Sequence, residues 1–336
     1  MPHVPRCPSC VRVPPQLDPA VSGGGAVLPR TGSGSMTHEC ECSFAAVASR
    51  NLPLLARCLS GPVIRNIHHT GQSTYLSAAF REARADELFG RSTTLLTAVQ
   101  AIFDLMRRRY RSDYVYRAAI ANKIFLGRHS PATTTLLSEL RVWRSKADLA
   151  MLNGTSTVYE IKTELDNLDR LSSQLADYSR MFDRTYVVTH DGQAQPLQSV
   201  LPSHVGVIVL SKSFTLQVVR EASSNADNID ILTVVDALRR SELVEMTRAL
   251  CGSVPQVPSV RLVAECRQLL SQHQARSVHR EMVRLLKKRR AFMRDDFRSV
   301  PEELVPAYLE SGVSVSEWSA ITDRLSGTCI GEIMDT

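Results

Sequence analysis

Aromatic residues are few in this 336-residue chain, 6% of the total. They hardly interleave with its basic clusters, so a single-strand surface built on stacked bases is not indicated. Long apolar runs are missing too. No stretch approaches the ~18–20 consecutive apolar residues that a membrane helix needs, so neither a spanning segment nor a membrane partner is expected. The Pro- and Gly-rich amino terminus has no continuous apolar run of signal-peptide length, and the expected location is cytoplasmic. No Walker-type phosphate loop and no Ser-His-Asp pattern is visible, which argues against a P-loop NTPase and a serine hydrolase. His68-His69, His129, His190 and His204 show no metal spacing with one another, and surface or core roles suit them better.

The cysteines do not form a disulfide framework. Cys58, Cys251, Cys266 and Cys329 are scattered singly, as buried thiols in a reducing compartment would be. Cys7-Pro-Ser-Cys10 and Cys40-Glu-Cys42 could supply four thiolates to zinc. A Gly/Ser-rich spacer separates the two pairs, and free thiols on a loose tail are the favoured reading.

What is present is an ordinary globular composition, 43% hydrophobic and 22% charged, with a formal charge of +6. A basic balance is compatible with a polyanionic partner without demanding one. Residues 1–50 read as a disordered tail, punctuated by Pro14-Pro15, Gly23-Gly24-Gly25 and Gly32-Ser33-Gly34-Ser35, and Met36 is an alternative start. Residues 51–112 read as a helical extension, with Leu95, Leu96, Val99, Ile102, Phe103 and Met106 at helical spacing. A helix through Tyr116, Ala119, Ile120, Ile124 and Phe125 opens the next region, 113–222.

Short strand-like segments follow over 133–144, 147–152 and 157–163, with Asn153-Gly154 as a hairpin signal between the last two. An amphipathic helix is expected over 166–182, capped by Asp166 or Asn167, then strands at 185–189 and 205–210 and an edge strand at 215–220. Residues 223–336 read as helical again, with helices over 229–250 and about 260–298. The fold class is therefore α/β: a mixed sheet with flanking N- and C-terminal helical extensions.

Chemistry concentrates on Asp148, Glu160 and Lys162. Alternation puts Glu160 and Lys162 on one face of their strand and Tyr159 and Ile161 on the other. Asp148 lies on the preceding strand. Only an odd number of unpaired residues at Asn153-Gly154-Thr155 brings position 148 opposite position 160, because a one-residue slip reverses faces. So placed, two carboxylates could share one hard divalent cation such as Mg²⁺, which leaves its remaining positions to water and phosphate oxygens. The nearby lysine could orient a water and offset developing negative charge. Gln174 and Tyr178, four apart, share one face of the next helix. The plainer alternative is a Glu160–Lys162 surface ion pair of little energetic weight.

The run Asp148 … Glu160-Ile161-Lys162 … Gln174-Leu175-Ala176-Asp177-Tyr178 resembles the PD-(D/E)XK, or restriction-endonuclease-like, phosphodiesterase superfamily. Within it the run looks most like small uncharacterised bacterial nucleases with an Arg/Lys-Ala-Asp strand and a Glu-Ile-Lys strand. The resemblance covers about a third of the chain and implies an αβββαβ core. It implies that Asp148 and Glu160 bind Mg²⁺ (or Mn²⁺), that Lys162 positions the nucleophile and that Gln174 contacts the substrate. Glu139 would be a third acidic group near the metal, the alternative being an ion pair with Arg141 or Lys146. The proline of the superfamily's name is absent, since Ala147 precedes Asp148. The expected activity is a metal-dependent nuclease acting on nucleic acid, DNA foremost, and a homodimer is compatible with it. The competing reading is a non-catalytic nucleic-acid-binding or protein-interaction module that keeps the nuclease fold.

Two basic clusters could track phosphates without reading sequence: Arg107 to Arg111, and Arg284, Lys287, Lys288, Arg289, Arg290, Arg294 and Arg298. A solvated helix face is the alternative for both.

Overall fold

The apolar periodicity of residues 61–126 is realised in helices α1 (Gly61–Thr70), α2 (Thr74–Glu82), α3 (Ala85–Phe89), α4 (Leu95–Arg109) and α5 (Asp113–Ala119). The last continues as a π-helical segment, Ile120–Leu126. The structure, a computed structural model, describes residues 50–289 and 297–335. The expected tail, the cysteines Cys7, Cys10, Cys40 and Cys42, and Arg290 and Arg294 lie outside the described residues. On α4, Leu95, Val99, Ile102, Phe103 and Met106 are all buried. Thr94 caps that helix by accepting a hydrogen bond from the Thr97 amide.

Six strands follow: β1 (Thr135–Val142), β2 (Ser145–Leu152), β3 (Ser156–Ile161), β4 (Arg184–Thr189), β5 (Gly206–Leu210) and β6 (Leu216–Arg220). Their order in the sheet is their order in the sequence. β1, β2 and β3 form an antiparallel meander, β3, β4 and β5 run parallel, and β6 closes the edge antiparallel. Parallel neighbours need crossovers. These are α6 (Leu171–Ser179) between β3 and β4, and α7 (Asp191–Val200) between β4 and β5.

The helix after β3 starts at Leu171 rather than near 166, and Asp166 does not cap it. Its carboxylate instead accepts hydrogen bonds from the amide and hydroxyl of Thr163, closing a turn. Helix α7 has no counterpart among the elements expected from the sequence: Gly192 and Pro196 oppose helix locally, yet the parallel β4–β5 pair requires a connection of this kind.

After the sheet come α8 (Ile231–Ala237), α9 (Arg240–Cys251), α10 (Ser259–Leu270) and α11 (Ala275–Lys288), then α12 (Val305–Ser311), α13 (Val315–Gly327) and α14 (Ile330–Met334). The helices expected over 229–250 and 260–298 are thus each interrupted, the first at Leu238-Arg239 and the second over residues 271–274.

The core has two parts, one on each face of the sheet. Leu136, Leu149, Met151, Tyr159, Ile161 and Val188 pack with α1–α5 and α12–α14. On the opposite face Leu137, Ala150, Leu152, Val158 and Val187 pack with α6, α8, α9 and α11. The result is an α/β protein with a six-stranded mixed sheet and helices on both sides. The last three helices complete the layer of α1–α5: α12 packs on α1, α13 on α4 and α14 on α2.

Candidate active site

The β2–β3 hairpin decides the geometry. Leu152 pairs with Ser156 and Leu149 with Tyr159, so Asn153, Gly154 and Thr155 are the unpaired residues. The loop is odd. Extending the register places Asp148 across from Glu160, and the Asp148 carboxylate accepts a 2.8 Å hydrogen bond from the Ile161 amide. Gly154 has φ 108°, a conformation that a residue without Cβ adopts freely.

Glu160 sits on the face covered by α6, opposite to Tyr159 and Ile161, and its side chain is only 2% exposed. Burying a carboxylate is costly unless it is paired. Its Oε1 lies 2.9 Å from Lys162 Nζ, and its Oε2 accepts a 2.7 Å hydrogen bond from the Tyr178 hydroxyl. Lys162 Nζ also donates to Gln174 Oε1 at 3.0 Å. Helix α6 therefore delivers Gln174 and Tyr178, one turn apart, to Lys162, just beyond the end of β3, and to Glu160 on it. Asp148, Glu160, Lys162 and Gln174 form one continuous site.

Glu139 is more distinctive than its sequence suggested. It lies between the β1–β2 pairs Ser138–Leu149 and Leu140–Ala147, across from Asp148, because Trp143-Arg144 forms a two-residue turn. Its φ of 58° is left-handed, and alternation breaks there: Leu137, Leu140 and Val142 all join the same core face. The Glu139 carboxylate is held by Arg117 Nη2 at 2.7 Å and by Lys146. Those two cations hold its pKa below the usual glutamate value, against the opposing effect of burial.

Arg117 was not singled out from the sequence. It projects from α5 with its side chain 10% exposed, and besides Glu139 it reaches Glu310 at 2.9 Å, Asp113 at 3.1 Å and Asp148 at 3.7 Å. Burial opposes its charge, and the surrounding carboxylates outweigh that opposition. The available signal was an arginine within the apolar run Tyr114 to Phe125. A cavity of about 390 Å³ borders this cluster, lined by Arg57, Tyr110, Asp113, Arg117, Glu139 and Glu310 among others.

Burial, then repulsion from Glu160, raises the Asp148 carboxyl to a pKa of about 7, against the hydrogen bond from Ile161 and the charges of Arg117 and Lys162. Two carboxylates that repel each other in a partly dry site are the hard oxygen donors that a divalent cation would relieve. Among the described residues no group of three or more His, Cys, Asp or Glu side chains is placed to hold a metal ion, so the donors on offer are the two carboxylates.

Other candidates lie elsewhere or are engaged otherwise. On α11, Arg284 pairs with Glu245 and Glu281, Lys288 with Glu245, and Arg289, beyond its end, with Glu242. In the other cluster, Arg107 lies over the Phe214 ring and Arg111 pairs with Glu164. A serine–histidine pair also emerges that the sequence did not reveal: Ser156 Oγ is 2.7 Å from His279 Nε2, and the Asp183 amide donates to the same hydroxyl. Both Ser156 and His279 are buried, so this network ties β3, β4 and α11 together rather than facing a substrate.

Residues 106–306, well over half of the chain, match the family of Bacteriophage P4 protein cII, and the chain belongs to that family. The matched span includes Arg117, Glu139, Asp148, Glu160, Lys162 and Gln174, and Glu310 lies beyond it. The chain is 33% identical over 76 residues to Protein cII of Enterobacteria phage P4, a match covering 22% of this chain and 29% of that relative's length. A solved protein of unknown function from Silicibacter pomeroyi aligns with 32% of this chain and 68% of its own, at 16% identity and a TM-score of 0.26.

Proposed function

We propose that this protein is a divalent-metal-dependent nuclease with a restriction-endonuclease-like core, formed by α5, β1–β3, α6 and β4. The observation that carries the reading is the placement of Asp148 and Glu160 on facing strands, with Lys162 hydrogen-bonded to Glu160 and Gln174. Asp148 and Glu160 would hold Mg²⁺ or Mn²⁺. When bound, such an ion polarises a phosphoryl group and lowers the pKa of a coordinated water.

The chain's own groups supply the rest. Lys162 places an ammonium beside the carboxylate pair, where it orients a water and offsets charge that develops on the phosphate. Gln174 fixes the direction of that ammonium through its 3.0 Å hydrogen bond. Tyr178 fixes the Glu160 carboxylate, leaving its remaining lone pairs to be shared. Arg117 keeps Glu139 from adding another free negative charge beside Asp148.

The substrate class proposed is nucleic acid, DNA foremost. Plasmid, linear duplex, single-stranded DNA and RNA should be incubated with purified protein and Mg²⁺ or Mn²⁺. Cleavage of at least one substrate that stops on chelation is the expected result. Binding without cleavage under every condition would favour a non-catalytic module of the same fold.

A further inference from the structure

Resting on the reading of Asp148 and Glu160 as a metal-binding pair, we propose that Arg117 is a built-in cation that limits the site to a single divalent ion and excludes Glu139 from its ligands. The acidic groups around the site fall into two sets with the guanidinium between them. Glu160, engaged by Lys162 and Tyr178, forms one set with Asp148. Glu139, Glu310 and Asp113 form the other, all within 3.1 Å of an Arg117 nitrogen. Arg117 also stands 3.7 Å from Asp148 on this second side, so it occupies the ground between Asp148 and Glu139.

Three properties suit it to that role. A guanidinium stays charged at any ordinary pH and cannot yield its position by losing a proton. Its planar fork serves several carboxylates at once, as its contacts to Glu139, Glu310 and Asp113 do here. It is also tethered and nearly buried, so it holds its place without the cost of capturing a free ion. A second divalent ion would have to displace it and would meet both Arg117 and Lys146 at the Glu139 carboxylate. Arg117 thereby acts as a positioning residue for Asp148 and as a stand-in for the second cation.

The test counts Mn²⁺ ions bound per chain, by equilibrium dialysis with electron paramagnetic resonance of the free ion, on the full chain without substrate. Wild type should bind one ion. Glu139→Gln should also bind one, with affinity within about threefold, whereas Asp148→Asn should weaken binding by at least roughly tenfold. Arg117→Gln, where it folds, should bind two, and Arg117→Lys should return the count to one. Two ions on wild type, a tenfold or greater loss in Glu139→Gln, or one ion at wild-type affinity in folded Arg117→Gln would overturn the role given to Arg117 and leave the nuclease reading standing. No bound Mn²⁺ on wild type would overturn both. If Arg117→Gln does not fold, the wild-type and Glu139→Gln counts decide the matter.

Discussion

Lys162 and Glu160 are nearly buried, and each is the other's main compensation for leaving water. Lys162→Ala should reduce hydrolysis by at least about 100-fold, the scale on which a preorganised charge acts in a transition state. Mn²⁺ binding should survive, because the carboxylates remain. In metal-free protein the same substitution should cost up to roughly 3–5 kcal/mol in a urea titration, since it strands a buried carboxylate, and saturating Mn²⁺ should recover part of the loss. His279 offers a separate test. Burial lowers its pKa below 6.5 despite the opposing charge of Asp183, so the folded protein favours the neutral ring. Its contribution is therefore present above about pH 6.5 and lost as pH falls toward the folded value. Wild type should lose up to about 1.4 kcal/mol per pH unit more than His279→Asn across that acid window. Parallel stability curves would contradict this account of the Ser156–His279 contact.

Elements, more than single residues, show what could be read in advance. Alternation along β3 is enough to separate Glu160 from Tyr159 and Ile161, and an odd loop at Asn153-Gly154-Thr155 is enough to place Asp148 opposite Glu160. Helical spacing likewise pairs Gln174 with Tyr178. Arg117 could not be read this way, because its partners Glu139 and Glu310 lie 22 and 193 residues away in sequence. Helix α7 escaped notice because Gly192 and Pro196 oppose helix locally, while the demand for a crossover arises from the sheet. The break of alternation at Glu139 follows from its left-handed φ, which no residue pattern announces. That backbone is testable on its own. Glu139→Gly and Glu139→Val both remove the carboxylate, so their difference isolates the conformation. The valine variant should be less stable by about 1–3 kcal/mol in chemical denaturation, and equal stabilities would show that this φ carries no strain.

At the scale of the whole molecule, the sheet is held between two helical layers, and the chain's last helices complete the layer that its first helices begin. Val305, Tyr308, Leu309, Trp318 and Ile321 are buried in the same core as Leu55, Ile64 and Phe80. Each large apolar side chain so buried contributes about 1.5–3 kcal/mol. Truncation before residue 305 should therefore abolish cooperative unfolding of the amino-terminal helices, as judged by near-ultraviolet circular dichroism. It would also remove Glu310 from Arg117. The basic surface follows from the same packing: Arg284, Lys288 and Arg289 meet acids of α9 and α11, so their charge is largely answered within the fold. Replacing these three with Gln should leave the salt dependence of nucleic-acid binding within about one unit of its wild-type slope, measured by fluorescence anisotropy. The central claim, a phosphodiesterase centred on Asp148, Glu160 and Lys162, is tested most directly by one cleavage assay. Wild type, Glu160→Gln and Lys162→Ala are compared on the same DNA with Mn²⁺, each shown to be folded. The account predicts cleavage by wild type alone, and cleavage by either variant at the wild-type rate would contradict it.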